Sequence, residues 1–285
     1  MNTIWITGSK GQLGTELYLQ HEALTGLKFL FTDIEELDLT NKNAVLEFTQ
    51  KEKPAFIVNC AAYTAVDKAE EEPEKAFLIN RDIPANLTAA ALSVNAILSH
   101  MSTDFVFDGT QSRPITENEL PNPQSKYAES KYAGEKEVLK SDKNLVIRTS
   151  WLYSPYGRNF MKTMLRLGKE KEEIGVVNDQ TGTPTSATDM AGAILRIIQK
   201  ISGSEKNYGG IYHYSNEGFC SWFDFATEIM KLAGLNCRVK PISTQEYPLP
   251  ANRPAYSVLD KSKIKSVFGL NIPDWKESLS LMLKA

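Results

Sequence analysis

A tyrosine and a lysine four residues apart on a helix share one face. A cation held beside the phenol favours the ionised form of a side chain whose free pKa is near 10. That pairing suits proton transfer to a carbonyl oxygen at neutral pH. The chain carries the spacing twice, at Tyr127/Lys131 and Tyr132/Lys136. With 11 tyrosines in 285 residues, about one such spacing arises by chance, so spacing alone identifies nothing. Five residues of helix turn through about 140°, so both pairs cannot face one pocket. Tyr127 stands where a helix begins after a proline-containing loop, the end nearer a cleft, and this favours it only mildly. Ser102-Thr103-Asp104 ends a strand-like run and offers a hydroxyl to hold the carbonyl or the phenol, although Ser and Thr also cap strand ends.

Carbonyl reduction also needs a hydride donor, and the N-terminal segment provides a place for one. Gly8-Ser9-Lys10-Gly11-Gln12-Leu13-Gly14 lies between a strand-like run and a helix-like run, with its glycines three apart. Glycine lets the backbone approach a pyrophosphate, and the following helix N-terminus offers N–H groups and partial positive charge. The next strand ends at Asp33, where a carboxylate can accept hydrogen bonds from the adenosine ribose. Together these features predict dinucleotide binding. Small residues at Asn59 to Thr64, Ala61 among them, suit a strand end against which the dinucleotide lies, or tight helix–strand packing. Asp33 repels a 2′-phosphate, and Ile34, Glu35 and Glu36 bring no arginine to offset it. Lys10 is near enough in sequence to fold over the ribose. The expectation is use of both NAD and NADP with NADH favoured.

These groups need elements to position them. Strands are expected at Thr3–Thr7, Lys28–Thr32, Ala55–Asn59, Ala96–Ser102 and Leu145–Thr149. Helices are expected near Gln12–Gln20, Ala44–Lys51, Pro84–Val94 and Lys126–Leu139. This alternation predicts an α/β fold, a doubly wound parallel sheet of Rossmann-like type. After Trp151 prolines and glycines become more frequent, and helices are expected at Asp189–Lys200, Trp222–Ala233 and Trp275–Leu283. The reading is a dinucleotide-binding domain over 1–150 and a smaller C-terminal substrate-binding lobe over 151–285, interleaved with the end of the sheet.

A net charge of -3 and a pI near 5.8 give no reason to expect a nucleic-acid or membrane surface. Cys60, Cys220 and Cys237 are too few and too widely spaced for a disulfide framework or a zinc site. No apolar run approaches the roughly 20 residues of a bilayer span, and the N-terminal run has neither the basic flank nor the length of a signal peptide. A cytoplasmic protein handling a small molecule is expected.

Several segments, taken together, resemble the dTDP-4-dehydrorhamnose reductases of the extended short-chain dehydrogenase/reductase superfamily. They are NCAAYTAVDKAE from Asn59, STDFVFDG from Ser102, YAESKYAGE from Tyr127, RTSWLY from Arg148, NDQTGTPT from Asn178, and Arg253-Pro254. The resemblance runs from the glycine turn to about Leu259. It implies that Tyr127 and Lys131 are the catalytic pair and Thr103 the hydroxyl residue, and that Tyr132/Lys136 is helix surface. It places Gly11, Gln12, Leu13, Asp33, Asp38, Leu39, Ala62, Tyr63 and Thr64 at cofactor contacts. Thr103, Asp104 and Trp151 fall at sugar contacts, with Asn159 and Arg253 also assigned to the substrate side. The implied reaction is NAD(P)H-dependent reduction of the 4-keto group of dTDP-4-dehydro-6-deoxy-L-mannose to dTDP-L-rhamnose. The alternatives are another nucleotide-sugar epimerase or reductase, or a cofactor-binding regulatory subunit of methionine adenosyltransferase. Some relatives form homodimers around magnesium held by acidic residues. Glu16 matches one such position, but Thr188 stands at the other with Asp189 beside it, so the resemblance carries the metal and the homodimer only half way.

Overall fold

The computed structural model describes residues 2–284. Met1 and Ala285, the outer limits of the two expected segments, lie outside the described residues. The main sheet holds β1 (Thr3–Thr7), β2 (Lys28–Thr32), β3 (Phe56–Asn59), β4 (Ile97–Thr103), β5 (Leu145–Thr149) and β6 (Gly210–His213). Its six strands run in the order β6-β5-β4-β3-β1-β2, every adjacent pair parallel. The order reverses between β1 and β3, and in doubly wound sheets the ligand crevice opens at such a point.

Burial on both faces explains the apolar runs in the strands. Ile4, Ile6 and Val58 face one core with the helices Gln12–Gln20 and Ala187–Ser202. The alternate residues Trp5, Ile57, Leu98 and Val146 face the other core with Lys42–Glu52, Ile83–Ser93 and Lys126–Val138. The five expected strands of 1–150 form, each within a residue of its expected ends.

β6 was not foreseen. It pairs with β5 from Gly210↔Leu145 to His213↔Arg148, so the chain returns to the sheet after leaving it. Ala187–Ser202 and Ser262–Phe268 also pack on the core of the main sheet, and other C-terminal segments build a lobe around a core of their own. There the helices Phe160–Glu170, Trp222–Leu232 and Trp275–Lys284 enclose Met161, Met164, Phe225, Ile229 and Trp275 beside the parallel pair Glu173–Val177/Arg238–Ile242. Among the described residues no helix is long and apolar enough to cross a membrane.

Candidate active site

The three glycines of the first turn serve three different needs. Gly8 has φ +63°, and a Cβ there would stand 2.6 Å from the Ala61 backbone nitrogen, so both conformation and space require glycine. Gly11 is the N-cap of Gln12–Gln20 in extended conformation, with no side-chain cap. Gly14 is helical, and a Cβ there would lie 2.3 Å from the Gly8 carbonyl oxygen. The positive φ of the turn is thus a property of Gly8, while Gly14 serves close packing of helix on turn.

A cleft of about 590 Å³ opens at this switch point, lined by Gly8, Gly11, Asp33, Asp38, Leu39, Ala61 and Ala62 among others. Of the other expected cofactor positions, Leu13 sends its side chain into the core, leaving its backbone for any contact. Thr64 is exposed. Tyr63 is buried against Ala69 and Ala76, donates to Glu72 at 2.6 Å and is held through its backbone by Asn80. Asp33 accepts from the backbone N–H groups of Lys10 at 2.9 Å and Ile34 at 2.8 Å. The Lys10 ammonium is already paired with both Glu35 and Glu36, the latter at 3.0 Å. These acids raise its pKa, Glu35 foremost. Lys10 does not lie over the ribose position as a spare cation, because two adjacent carboxylates compete for it.

The residues expected to transfer the proton lie near the end of β4. Ser125 caps Lys126–Val138 by accepting from the Ala128 N–H at 3.3 Å, which puts Tyr127 in the first turn. Its ring packs edge-on against Phe105 at 5.9 Å. Burial pushes the phenol up to about 12, opposed by hydrogen bonding with the Thr103 hydroxyl and reinforced by the nearby Asp104 charge. Thr103 donates to Asp104 at 3.1 Å and accepts from the Phe105 N–H at 3.2 Å. Burial raises Asp104 to about 7, against hydrogen bonding with Ser257 and Thr103.

Lys131 is buried and donates to the Met101 carbonyl at 2.6 Å. Burial pulls its pKa down to about 8, opposed by the Glu135 charge. The expected lowering of the Tyr127 pKa by Lys131 is not what this arrangement gives: the ammonium is turned to a backbone carbonyl, and burial dominates the phenol. Tyr132 goes elsewhere. It packs on the cluster of Val106, Phe107, Ile115 and Leu259, with the Lys136 ammonium 4.9 Å from its ring. The two Tyr/Lys pairs therefore diverge as the helical rotation requires.

The lobe contributes a second cavity of about 710 Å³, lined by Phe160, Val176, Trp222, Tyr247 and Arg253 among others. Trp151 adopts φ +47°, a rare conformation for a bulky residue that marks local strain. Its indole stacks on Trp222 at 3.5 Å and 9°, while the Gly182 backbone lies so close that a Cβ there would come within 2.6 Å. One face expected to receive a sugar is thus covered by Trp222, and Trp222, unforeseen in the sequence, lines the cavity instead. Arg253 forms a two-bonded pair with Asp67, at 3.0 and 2.7 Å, tying the lobe to the loop after β3. Asn159 caps Phe160–Glu170 and donates to Gln12 at 2.7 Å, tying the lobe to the glycine turn. Neither linkage shows in the sequence, because each joins residues more than 140 positions apart.

Glu16 is buried beside Gln20, whereas Asp189 accepts from Asn216 at 2.7 Å and Ser278 at 2.6 Å. Among the described residues no group of three or more His, Cys, Asp or Glu side chains is placed to hold a metal.

Residues 1–285 match the family described as the RmlD substrate binding domain. A dTDP-4-dehydrorhamnose reductase from Aggregatibacter actinomycetemcomitans is 41% identical over 286 residues, spanning 98% of this chain and 97% of that protein. The crystal structure of a dTDP-4-dehydrorhamnose reductase from Clostridium acetobutylicum superposes with a TM-score of 0.93 at 44% identity, over 99% of this chain and 98% of that one. The enzyme of the same name from Bacillus anthracis, solved in complex with NADP, gives a TM-score of 0.93 at 40% identity, over 100% of this chain and 99% of that one.

Proposed function

The chain belongs to the dTDP-4-dehydrorhamnose reductase family, and from that premise we propose how its residues divide the reaction. The protein is an NADP-binding oxidoreductase that reduces the 4-keto group of dTDP-4-dehydro-6-deoxy-L-mannose to give dTDP-L-rhamnose. The observation that carries the division of labour is the meeting of Thr103, Tyr127 and Lys131 at the end of β4, beside the switch-point cleft.

The cleft suits a dinucleotide. Its floor is the Gly8 turn, where the space a Cβ would fill is the closest approach of turn to strand end, and Asp33 stands at its rim. The reduced nicotinamide, when bound, supplies the hydride that adds to C4 of the sugar. Gly8 and Gly11 let the backbone approach the pyrophosphate, with the backbones of Gln12 and Leu13 at the helix N-terminus, while Gly14 seats the helix on the turn. Asp33 holds the adenosine ribose, with Asp38, Leu39, Ala61, Ala62, Tyr63 and Thr64 along its path.

Tyr127 gives its proton to the carbonyl oxygen as C4 is reduced, so that oxygen stays on C4 as the product hydroxyl and the phenolate remains on Tyr127. A phenol raised by burial is a reluctant acid, and it is best matched to an alkoxide of still higher basicity. Thr103 donates to the carbonyl or to the phenolate, and Lys131 supplies the cation that offsets the negative charge left on Tyr127. Asp104, Trp151, Asn159 and Arg253 orient the sugar nucleotide or hold the lobe in place to do so.

We place the enzyme in the cytoplasm, and expect NADH to serve at least as well as NADPH because Asp33 opposes a 2′-phosphate while Lys10 is held by Glu35 and Glu36. The experiment is oxidation of NADH and NADPH with the dTDP-4-keto sugar against UDP- and GDP-linked 4-keto sugars. Turnover confined to the dTDP substrate supports the reading, and equal turnover of all three sinks its nucleotide assignment. A preference for NADPH above tenfold overturns the assignment to Asp33.

A further inference from the structure

Behind the catalytic lysine lies a charged pair that the reaction as described does not use. Glu135 is four residues beyond Lys131 on Lys126–Val138, hence on the same face, and is wholly buried. Its carboxylate accepts from Arg148 of β5 at 2.9 and 2.7 Å and from the Ser102 hydroxyl of β4 at 2.6 Å. Arg148 is buried too, with His213 of β6 at 3.4 Å and the Phe107 ring below its guanidinium.

A buried ion pair contributes little net stability, because desolvation of both partners offsets their attraction. A second use of its charge is therefore worth seeking. Lys131 is the nearest candidate, a buried ammonium whose hydrogen bond goes to a neutral carbonyl. The other titratable groups acting on it are His100 on β4 and Cys60 beyond β3, with Tyr127 one helical turn before it. Burial holds His100 neutral and the Cys60 thiol protonated. Glu135, paired with Arg148, is thus the carboxylate on this side of the lysine.

We propose that Glu135 is a positioning residue for the reduction: it keeps Lys131 cationic through its charge, and Arg148 and Ser102 set how much of that charge Lys131 receives. The proposal rests on the reading that Lys131 must be protonated for turnover. It fits the low pKa already imposed on Lys131 by burial, which leaves little margin at neutral pH.

The test is the pH profile of kcat/KM from pH 6 to 10. Glu135→Gln alone strands Arg148, so the main variant is Glu135→Gln/Arg148→Gln, which removes both charges. Its alkaline limb should move to lower pH by about one unit. Arg148→Gln, which leaves the Glu135 charge unshared, should move the limb to higher pH. A folded double variant whose limb coincides with that of the wild type overturns the proposal. Should neither charge variant fold, Ser102→Ala removes only the hydroxyl bonded to Glu135 and should shift the limb upward; an unmoved limb there overturns the proposal equally. Lys131→Met separates the two readings. If it keeps turnover and the same limb, the role given to Lys131 fails, whatever Glu135 does.

Discussion

Replacing Tyr127 by Phe tests the assignment of the proton donor with little else disturbed. The ring would keep its edge-on contact with Phe105 at 5.9 Å, so packing survives and only the hydroxyl is lost. A positioned general acid is worth about 10²- to 10⁴-fold, or roughly 3–5 kcal/mol of barrier at 1.36 kcal/mol per tenfold. We expect kcat to fall by that factor while the dissociation constant for NADP, read by isothermal titration, changes less than about threefold. Tyr132→Phe is the control on the same helix. Phenylalanine there would still pack on Val106, Phe107, Ile115 and Leu259 and still offer a π face to Lys136. Steady-state oxidation of the reduced cofactor should therefore match wild type to within a factor of about two. If the two variants exchange behaviours, the catalytic pair is Tyr132/Lys136. If Tyr127→Phe loses cofactor affinity as fast as it loses kcat, Tyr127 serves binding rather than proton transfer.

Gly8→Ala should abolish detectable NADP binding and lower the melting temperature, because a Cβ at φ +63° would press to 2.6 Å on the Ala61 backbone; near-normal titration would show that the turn can adjust. Glu35→Gln/Glu36→Gln releases Lys10 from both carboxylates and should raise the NADPH/NADH ratio of kcat/KM several-fold, and an unchanged ratio would show that Lys10 has no part in cofactor choice. Trp222→Ala removes the surface stacked on Trp151 and should raise the substrate KM about tenfold, or 1.4 kcal/mol, with the cofactor KM unchanged; equal losses for both would make the indole pair purely structural. Burial, with Arg148 beside it, holds His213 down at about 3, whereas an unfolded histidine titrates near 6.5. The unfolded chain therefore takes up the extra proton as pH falls from about 6.5 toward 3, and the wild type loses stability across that window. The melting-temperature gap between wild type and His213→Gln should accordingly narrow from pH 7 to pH 4, and a pH-independent gap would refute the assignment.

What the sequence disclosed and what it hid divide along a physical line. Local patterns were legible: Ile4-Trp5-Ile6 and Phe56-Ile57-Val58 read as strands because both faces are buried, and the helix from Lys126 read from the end of a proline-containing loop, although its Ser125 cap went unread. β6 was not legible, since Gly209-Gly210 ahead of three strand residues looks like a loop. Its reason is long-range: a Cβ at Gly209 would lie 1.9 Å from the Asp142 carbonyl oxygen, so glycine is what lets the returning chain dock on β5. The site divides in the same way. Tyr127, Lys131 and Thr103 could be named from spacing and resemblance, but the partner each side chain takes could not. Lys10 looked like a free cation and is held by two carboxylates. Lys131 looked like the partner of Tyr127 and bonds Met101.

Glu135 is the clearest case of the second kind. In YAESKYAGEKE it is one of three glutamates on a charged helix, and such a residue is ordinarily solvated. Helical spacing puts it, unlike Glu129 or Glu137, on the Lys131 face, but nothing local says that this face is buried at Glu135. The distinction arises because Gly134, its neighbour, meets the Asn80 carbonyl oxygen so closely that a Cβ would stand 2.0 Å away, seating that stretch of helix hard against the segment before Ile83–Ser93. The next position is then turned toward β4 and β5, where Arg148 and Ser102 satisfy its carboxylate. The sheet order, with β4 beside β5 and β5 beside β6, is what brings Ser102, Arg148 and His213 under one helix face. A glycine that permits contact and a strand order that gathers three polar side chains together convert what reads as an ordinary surface glutamate into a buried carboxylate one turn from Lys131.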